Sequence, residues 1–274
     1  MPNLSGFFSA KNVRVEIMDA LIKKAAGLIC RSEMIVAFTG ASVSTESGIP
    51  DFRSPGGIWE KYQPVYYEDF LSSEAARLTS WQRSRATYPA VRDAKPNPTH
   101  LALYELERMG KLEAIITQNI DRLHHKAGSS PEKIIEIHGT VAYAVCLDCK
   151  KTYDRDVLQR QLEAKEEIDV PYCPECHGPL KDVTISFGQQ MPEQEMAAAG
   201  RKAQSCDLMI LLGSSLVVYP AAYLPQYAHQ SGAPLIIINL DPTPFDHLAA
   251  VAIQARTGEA LPQIVAQVRR QLEG

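Results

Sequence analysis

Hydrophobic residues in this chain fall into two alternating kinds of run. Between residues 13 and 30 they recur at helical spacing, through Val15, Met18, Leu21, Ile22, Ala25, Leu28 and Ile29. Residues 34–38 then form a short apolar run that stops at Thr39-Gly40, which predicts a strand followed by a turn. Similar runs recur at 114–117, 134–137, 208–212, 235–239 and 251–253. Most lack polar alternation, as strands buried on both faces do, and this favours a parallel sheet. Between them the spacing predicts helices over 99–109, 193–203, 220–230 and 259–272, with Gly110 and Gly232 as C-terminal stops.

Alternation of strand and helix implies an α/β fold, a Rossmann-like doubly wound parallel sheet. Two stretches break the rhythm. Residues 66–95 are helical, polar and aromatic, and residues 140–182 carry paired cysteines. Both read as insertions forming a smaller lobe, a helical one and a zinc ribbon, which leaves 13–65, 96–139 and 183–274 as one discontinuous Rossmann-like domain.

Composition narrows the class only slightly. At 274 residues, 45% hydrophobic and 22% charged, the chain suits a folded enzyme rather than a disordered tail. A formal charge of -4 gives no electrostatic reason to expect direct nucleic-acid binding. No apolar run approaches the roughly 20 residues that span a bilayer, so no membrane partner is expected. Residues 1–14 show neither a signal nor a transit pattern, and a cytoplasmic protein is expected.

Four of the six cysteines stand as Cys146-x-x-Cys149 and, after 23 residues, Cys173-x-x-Cys176. Two such turns close a tetrahedral thiolate site for zinc, with Pro174, Gly178 and Pro179 shaping the second knuckle. Four sulfurs leave no position for water, so the zinc is structural. A redox dithiol is the competing use of this spacing. The smaller lobe holds too few apolar residues to fold well without the metal. Cys30 and Cys206 read as small buried residues.

The small residues Thr39-Gly40-Ala41-Ser42 directly after the first strand would let backbone N–H groups approach a pyrophosphate, although a tight structural turn explains them equally well. Among seven histidines, His138 differs from the rest. It ends an apolar strand and precedes a glycine, at the carboxyl edge of a parallel sheet, where imidazole suits general-base work near neutral pH. The others have plainer places: His100 at a helix start, His124 and His125 in a polar turn, His177 in the zinc knuckle, His229 and His247 in helix-like segments. Asp51 and Asp121 can equally be helix caps.

Residues 40–54, Gly-Ala-Ser-Val-Ser-Thr-Glu-Ser-Gly-Ile-Pro-Asp-Phe-Arg-Ser, closely resemble the signature of the sirtuins. The resemblance continues in order through Thr117-Gln118-Asn119-Ile120-Asp121, His138-Gly139, the four cysteines, Phe187-Gly188, Gly213-Ser214-Ser215-Leu216 and Ile238-Asn239, covering roughly residues 15–270. It implies an NAD-dependent protein-lysine deacylase, most simply a deacetylase, which consumes NAD and acts on acylated-lysine proteins or peptides. His138, Asn119 and Asp121 would be catalytic. Gly40, Ala41, Phe52, Arg53, Gln118, Gly213, Ser214, Ser215 and Asn239 would join Asn119 and Asp121 in holding NAD. Ile185, Phe187, Gly188 and Val218 would bind the peptide as an added strand. In the implied reaction nicotinamide leaves, the acyl oxygen captures the ribose carbon, and His138 deprotonates a ribose hydroxyl, yielding O-acyl-ADP-ribose.

Two departures stand out: Ser42 replaces a usual glycine, and Gln189 replaces a frequent glutamate. The competing activities are mono-ADP-ribosyl transfer or NAD hydrolysis in the same pocket, and a non-catalytic reader of acyl-lysine. Retention of His138 argues against the former, the intact Asn119, Asp121 and His138 set against the latter. Members that prefer acidic acyl groups carry Tyr-x-x-Arg in the helical insertion. Here Tyr88 and Arg92 are four apart with Pro89 between them, which predicts a tunnel for neutral acyl groups.

Overall fold

The computed structural model describes residues 10–51 and 56–274. Helix α1 (Ala10–Arg31) leads into strand β1 (Ile35–Thr39), and then come short α2 (Ile58–Lys61), α3 (Tyr67–Ser72), α4 (Glu74–Asp93), α5 (Pro98–Arg108) and β2 (Leu112–Thr117). A one-turn α6 (Leu123–Lys126) precedes β3 (Ile134–Glu136), β4 (Gly139–Cys146), β5 (Thr152–Asp154) and α7 (Arg155–Glu163). Strand β6 (Leu180–Thr184) returns to α8 (Glu193–Ser205), β7 (Leu208–Leu212), α9 (Tyr223–Gln230), β8 (Leu235–Asn239), β9 (Val251–Gln254) and α10 (Thr257–Glu273).

Six strands pair in parallel in the order β3-β2-β1-β7-β8-β9. Every residue of β1, β7 and β8 is buried, which is why these segments are unbroken apolar runs. Alternate residues feed two cores. Ile35, Ala37, Ile115 and Ile210 pack with residues of α1, α5 and α10. Val36, Phe38, Ile116 and Leu211 pack with residues of α8 and α9. Helices thus cover both faces, and the doubly wound Rossmann-like sheet is observed. The helix expected from residue 220 starts at Tyr223, because the preceding residues close a turn in which Ala222 N–H donates to the Val218 carbonyl at 2.9 Å.

Strands β5-β4-β6 form a separate antiparallel sheet. Its core draws on both insertions. Ala144, Leu158, Leu162, Ile168, Val170 and Leu180 cluster with Cys146 and Cys173 around Trp81 of α4. The two insertions share one core, so neither has to supply it alone. Trp81 is 2% exposed and its indole N–H donates to the Leu180 carbonyl at 3.0 Å. Arg155, fully buried, lies over Trp81 and Tyr88, pairs with Asp182 at 2.9 Å and donates to Gln159.

Proline in a helix removes the N–H that would bond the carbonyl four residues back. At Pro89 that carbonyl belongs to Arg85, and the Gln159 amide donates to it instead, at 2.9 Å. Lys126 donates to the carbonyls of Val91, Arg92 and Ala94, capping the C-terminal end of α4 from below the cleft.

Trp81→Ala is expected to cost about 3–5 kcal/mol, the usual penalty for deleting a buried aromatic. Denaturant unfolding of the two proteins checks it, and an unchanged midpoint would contradict the shared core.

Candidate active site at the sheet switch point

The chain runs outward from β1 in one direction and from β7 in the other, so a crevice opens between their carboxyl ends, where open α/β sheets bind ligands. The two loops nearly touch. Gly40 N–H donates to the Leu212 carbonyl at 3.0 Å and Ser42 N–H to the Gly213 carbonyl at 3.1 Å. A Cβ on Gly40 would lie 2.7 Å from Gly213 O, and one on Gly213, whose φ is +56°, 2.6 Å from Val43 N. Glycine at both positions therefore has a steric cause.

Above this crossing lies a cavity of about 660 Å³ beside a second of about 310 Å³; Ala41, Gln118, Asn119, Ile185 and Phe187 line both. On one wall His138 bonds through Nδ1 to the Gln118 carbonyl at 3.0 Å. A carbonyl only accepts, so Nδ1 carries the proton and Nε2 keeps its lone pair. Burial pulls the imidazole below its ordinary 6.5, partly opposed by that hydrogen bond, and it is neutral at pH 7. Gly139 beside it, at φ +73°, admits no side chain: a Cβ would sit 2.1 Å from Val183 O.

Next to Gln118 begins a buried polar cluster. Asn119 Nδ2 donates to Gly40 O at 3.1 Å and Ser44 Oγ at 3.0 Å, and Ser44 donates to Asp121 Oδ2 at 2.7 Å. Asp121 Oδ1 accepts from Leu123 N–H at 2.8 Å, so this aspartate does steady the start of α6 while its other oxygen faces the cluster. Burial raises its pKa, and the bonds from Leu123 and Ser44 oppose the rise.

Away from the cleft the four cysteine sulfurs lie within 4.8 Å of one another. Zn–S bonds of about 2.3 Å would set tetrahedral S···S edges of about 3.8 Å. Cys146 to Cys176 is 3.4 Å and Cys149 to Cys173 is 3.7 Å, so the cluster fits the ion. The two knuckles share one geometry: Lys150 N–H bonds Cys146 O and His177 N–H bonds Cys173 O, with both donors at positive φ. The Tyr153 hydroxyl on Cys173 favours its thiolate, pulling the pKa down to about 6.

A family model described as Sir2 family matches residues 40–220. The chain is 45% identical over 244 residues to NAD-dependent protein deacetylase 1 of Bradyrhizobium diazoefficiens, covering 89% of this chain and 95% of that one. It is 41% identical to NAD-dependent protein deacylase 2 of Archaeoglobus fulgidus, covering 92% and 98%. A solved Sir2 complex with a deacetylated p53 peptide and 3′-O-acetyl ADP ribose superposes with a TM-score of 0.83 at 39% identity, covering 90% and 98%. One of Sir2 with p53 peptide and NAD+ gives 0.76 at 37%, covering 90% and 95%. The chain belongs to the Sir2 family.

In this sirtuin, Gly40, Gly213, Ser214, Ser215 and Asn239 line the larger cavity with His138, and so do Gly188 and Val218. Asp121 lines the smaller one. Phe52 and Arg53 lie outside the described residues. Ile185 is half-buried, whereas Phe187 is 41% exposed, its ring 6.0 Å from that of Tyr66. Core packing therefore does not account for Phe187. Lys181 holds the approach to this strand, donating to the carbonyls of Asp182 and Thr184, with burial pulling its pKa to about 8.

Both departures from the sirtuin pattern have local explanations. Ser42 sits in a 3₁₀ turn at a negative φ, where glycine is not needed. Gln189 closes the turn before it, its Oε1 accepting from Ser186 N–H at 3.1 Å.

Sequence inspection overlooked Ser44, which joins Asn119 to Asp121, because nothing local marks a hydroxyl whose partner lies 77 positions away. It also misplaced His124. Far from lying in a polar turn, His124 is 2% exposed and bonded to Thr39 Oγ1. Cys206 is buried as expected, its thiol pushed up to about 11.

One zinc per chain is expected, lost together with small-lobe structure in Cys173→Ala. Metal analysis of the purified protein checks it; metal-free protein that keeps its activity in strong chelator would refute a structural zinc.

Proposed function

We infer that this Sir2 protein is an NAD-dependent protein-lysine deacylase whose products are nicotinamide, deacylated lysine and O-acyl-ADP-ribose. The observation that carries this is a neutral His138, its Nδ1–H anchored on a backbone carbonyl, in a cavity that shares Asn119 with the neighbouring one lined by Ser44 and Asp121.

When bound, NAD supplies a ribose carbon made electrophilic by departure of nicotinamide. We propose that residues 13–65, 96–139 and 183–274 carry it. Gly40, Ala41, Gly213, Ser214, Ser215 and Asn239 would line its phosphates and adenosine, with Arg53 helping to close the loop over NAD and Phe52 shielding the ribose carbon from water. Gln118, Asn119 and Asp121 would orient the ribose and the nicotinamide amide. His138 would take a proton from a ribose hydroxyl at Nε2, the ring nitrogen that its anchor leaves free. Transfer of ADP-ribose to protein, or plain NAD hydrolysis, gives such a base no task.

The acylated peptide would lie between Ile185–Gly188 and the segment around Val218, adding backbone hydrogen bonds on either side. Val217 at 48% and Tyr219 at 53% exposure leave that flank accessible. Residues 66–95 and 140–182 would form the lobe across the cleft. No described helix is long and apolar enough to cross a membrane. We place the protein in the cytoplasm, where a thiolate cluster stays reduced.

His138→Ala is expected to retain NAD binding and slow deacylation by at least about 100-fold, while peptide-dependent nicotinamide exchange survives better. Because the folded pKa is depressed, the base is present above 6.5, and kcat/KM should fall only as pH drops below that value. Equal loss of both activities, or an acid limb unchanged in the variant, would contradict the assignment.

For the acyl group we propose acetyl or another neutral chain. The Tyr88 hydroxyl is committed to Asp156 at 3.0 Å and Arg92 to Asp93 at 2.8 Å, so neither is poised to grip a carboxylate. Arg83, the cation among the described residues lining the smaller cavity, donates to Gln63 O and lies over the Tyr62 ring. Comparing kcat/KM on one peptide bearing acetyl or succinyl lysine decides it. A succinyl preference of about tenfold, near 1.4 kcal/mol, overturns the proposal.

A further inference from the structure

Two fully enclosed histidines beneath the nicotinamide side of the cleft are assigned no role in the chemistry above. His100 is 0% and His124 2% exposed, and their ring centroids are 4.9 Å apart. The tautomer of His100 follows from its partner. Asn97 N–H donates to His100 Nδ1 at 3.3 Å, so the ring's proton is on Nε2. Thr39 Oγ1 lies 2.8 Å from Thr117 Oγ1 and 3.1 Å from His124 Nε2, and when Thr39 gives its single proton to Thr117 it receives one from His124 Nε2. His124 Nδ1 is then a bare lone pair. His100 Nε2 and His124 Nδ1 are also the two ring atoms of this pair that are buried without a hydrogen-bond partner. One is a donor and the other an acceptor. A metal would need a lone pair from both rings and would break the Asn97–His100 bond.

The chain leads to the reacting residues. Thr117 Oγ1 accepts from Asn119 N–H at 3.0 Å, and the Thr39 carbonyl accepts from Gln118 N–H at 3.0 Å. Gln118 O is the anchor of His138. At the other end the Asn97 amide holds Val43 O at 2.7 Å and Ser47 Oγ at 3.0 Å, within the loop that follows β1.

We propose that His100 and His124 form a hydrogen-bonded positioning pair, His100 Nε2–H to His124 Nδ1, across a single water. It fixes the loop after β1, Asn119 and Gln118 in one register for nicotinamide release. Neither ring touches substrate. Burial holds both imidazoles well below 6.5, His100 at about 4, so the tautomers persist at working pH. The proposal rests on the deacylase reading, and its spectroscopic arm does not depend on activity.

The experiment pairs imidazole ¹⁵N NMR of the full-length wild-type protein with kinetics of two variants. Both rings are expected as Nε2–H tautomers that do not titrate between pH 8 and 5.5. A Nδ1–H tautomer, or titration near 6.5, overturns the pairing whether or not the enzyme is active. His124→Leu, which keeps bulk and loses the donor, is expected to lower kcat for nicotinamide exchange and for deacylation together by about tenfold or more. His124→Gln, which retains a donor near Nε2, recovers most of it. A filler role predicts instead that folded His124→Leu keeps its exchange rate, and that result overturns the proposal. Should His124→Leu fail to fold, the tautomers and the His124→Gln rates decide. Absence of exchange in wild type would instead refute the deacylase reading.

Discussion

At the switch between β1 and β7 two backbones approach so closely that a methyl group on either would penetrate the other. Gly40 and Gly213 exist to allow that contact, and the rest of the site is referenced to it. The crossing sets the floor of the cavity. It turns the loop after β1 so that Ser44 meets Asp121, and the Gly40 carbonyl becomes one of two acceptors that orient Asn119. Small displacements here would move Ser44, Asn119 and Asp121 together, since the loop after β1 joins them.

Electrostatically the cleft relies on neutral or internally satisfied groups rather than on free charge. His138 is held uncharged by burial, and Asp121 is buried but receives two hydrogen bonds. An unpaired charge in this environment would cost several kcal/mol, whereas hydrogen-bonded groups with fixed donors and acceptors need no reorganisation when a ligand enters. The same logic extends to a buried network in which Thr39 bonds Thr117 and His124, and His100 Nδ1 accepts from Asn97 N–H.

The smaller lobe solves a different problem. Two insertions, each too small to bury much by itself, pool their apolar residues around Trp81, and Arg155 ties α4, α7 and β6 together from inside. The cysteine cluster closes the far end of this unit, away from the cavity, and Lys126 caps α4 at the near end. Stability of the lobe and chemistry in the cleft are thereby separated in space while remaining mechanically linked through α4 and α6.

Much of this was legible in the residues themselves. Strands buried on both faces must be continuous apolar runs, so β1, β2, β7 and β8 announce themselves. Thiolate pairs at this spacing have few uses, and His138 stands out because it ends such a strand. Positions were less legible than identities. Polar neighbours Arg122, His125 and Lys126 conceal that His124 points inward, because a single helical turn is too short to display a periodic face. Nothing local links Ser44 to Asp121, Trp81 to Leu180, or Gln159 to the carbonyl that Pro89 strands. Local pattern reports what each segment must bury, and that the sequence determined by itself. Which hydroxyl meets which carboxylate across tens of residues depends on how the segments cross, and only the tertiary structure decided that.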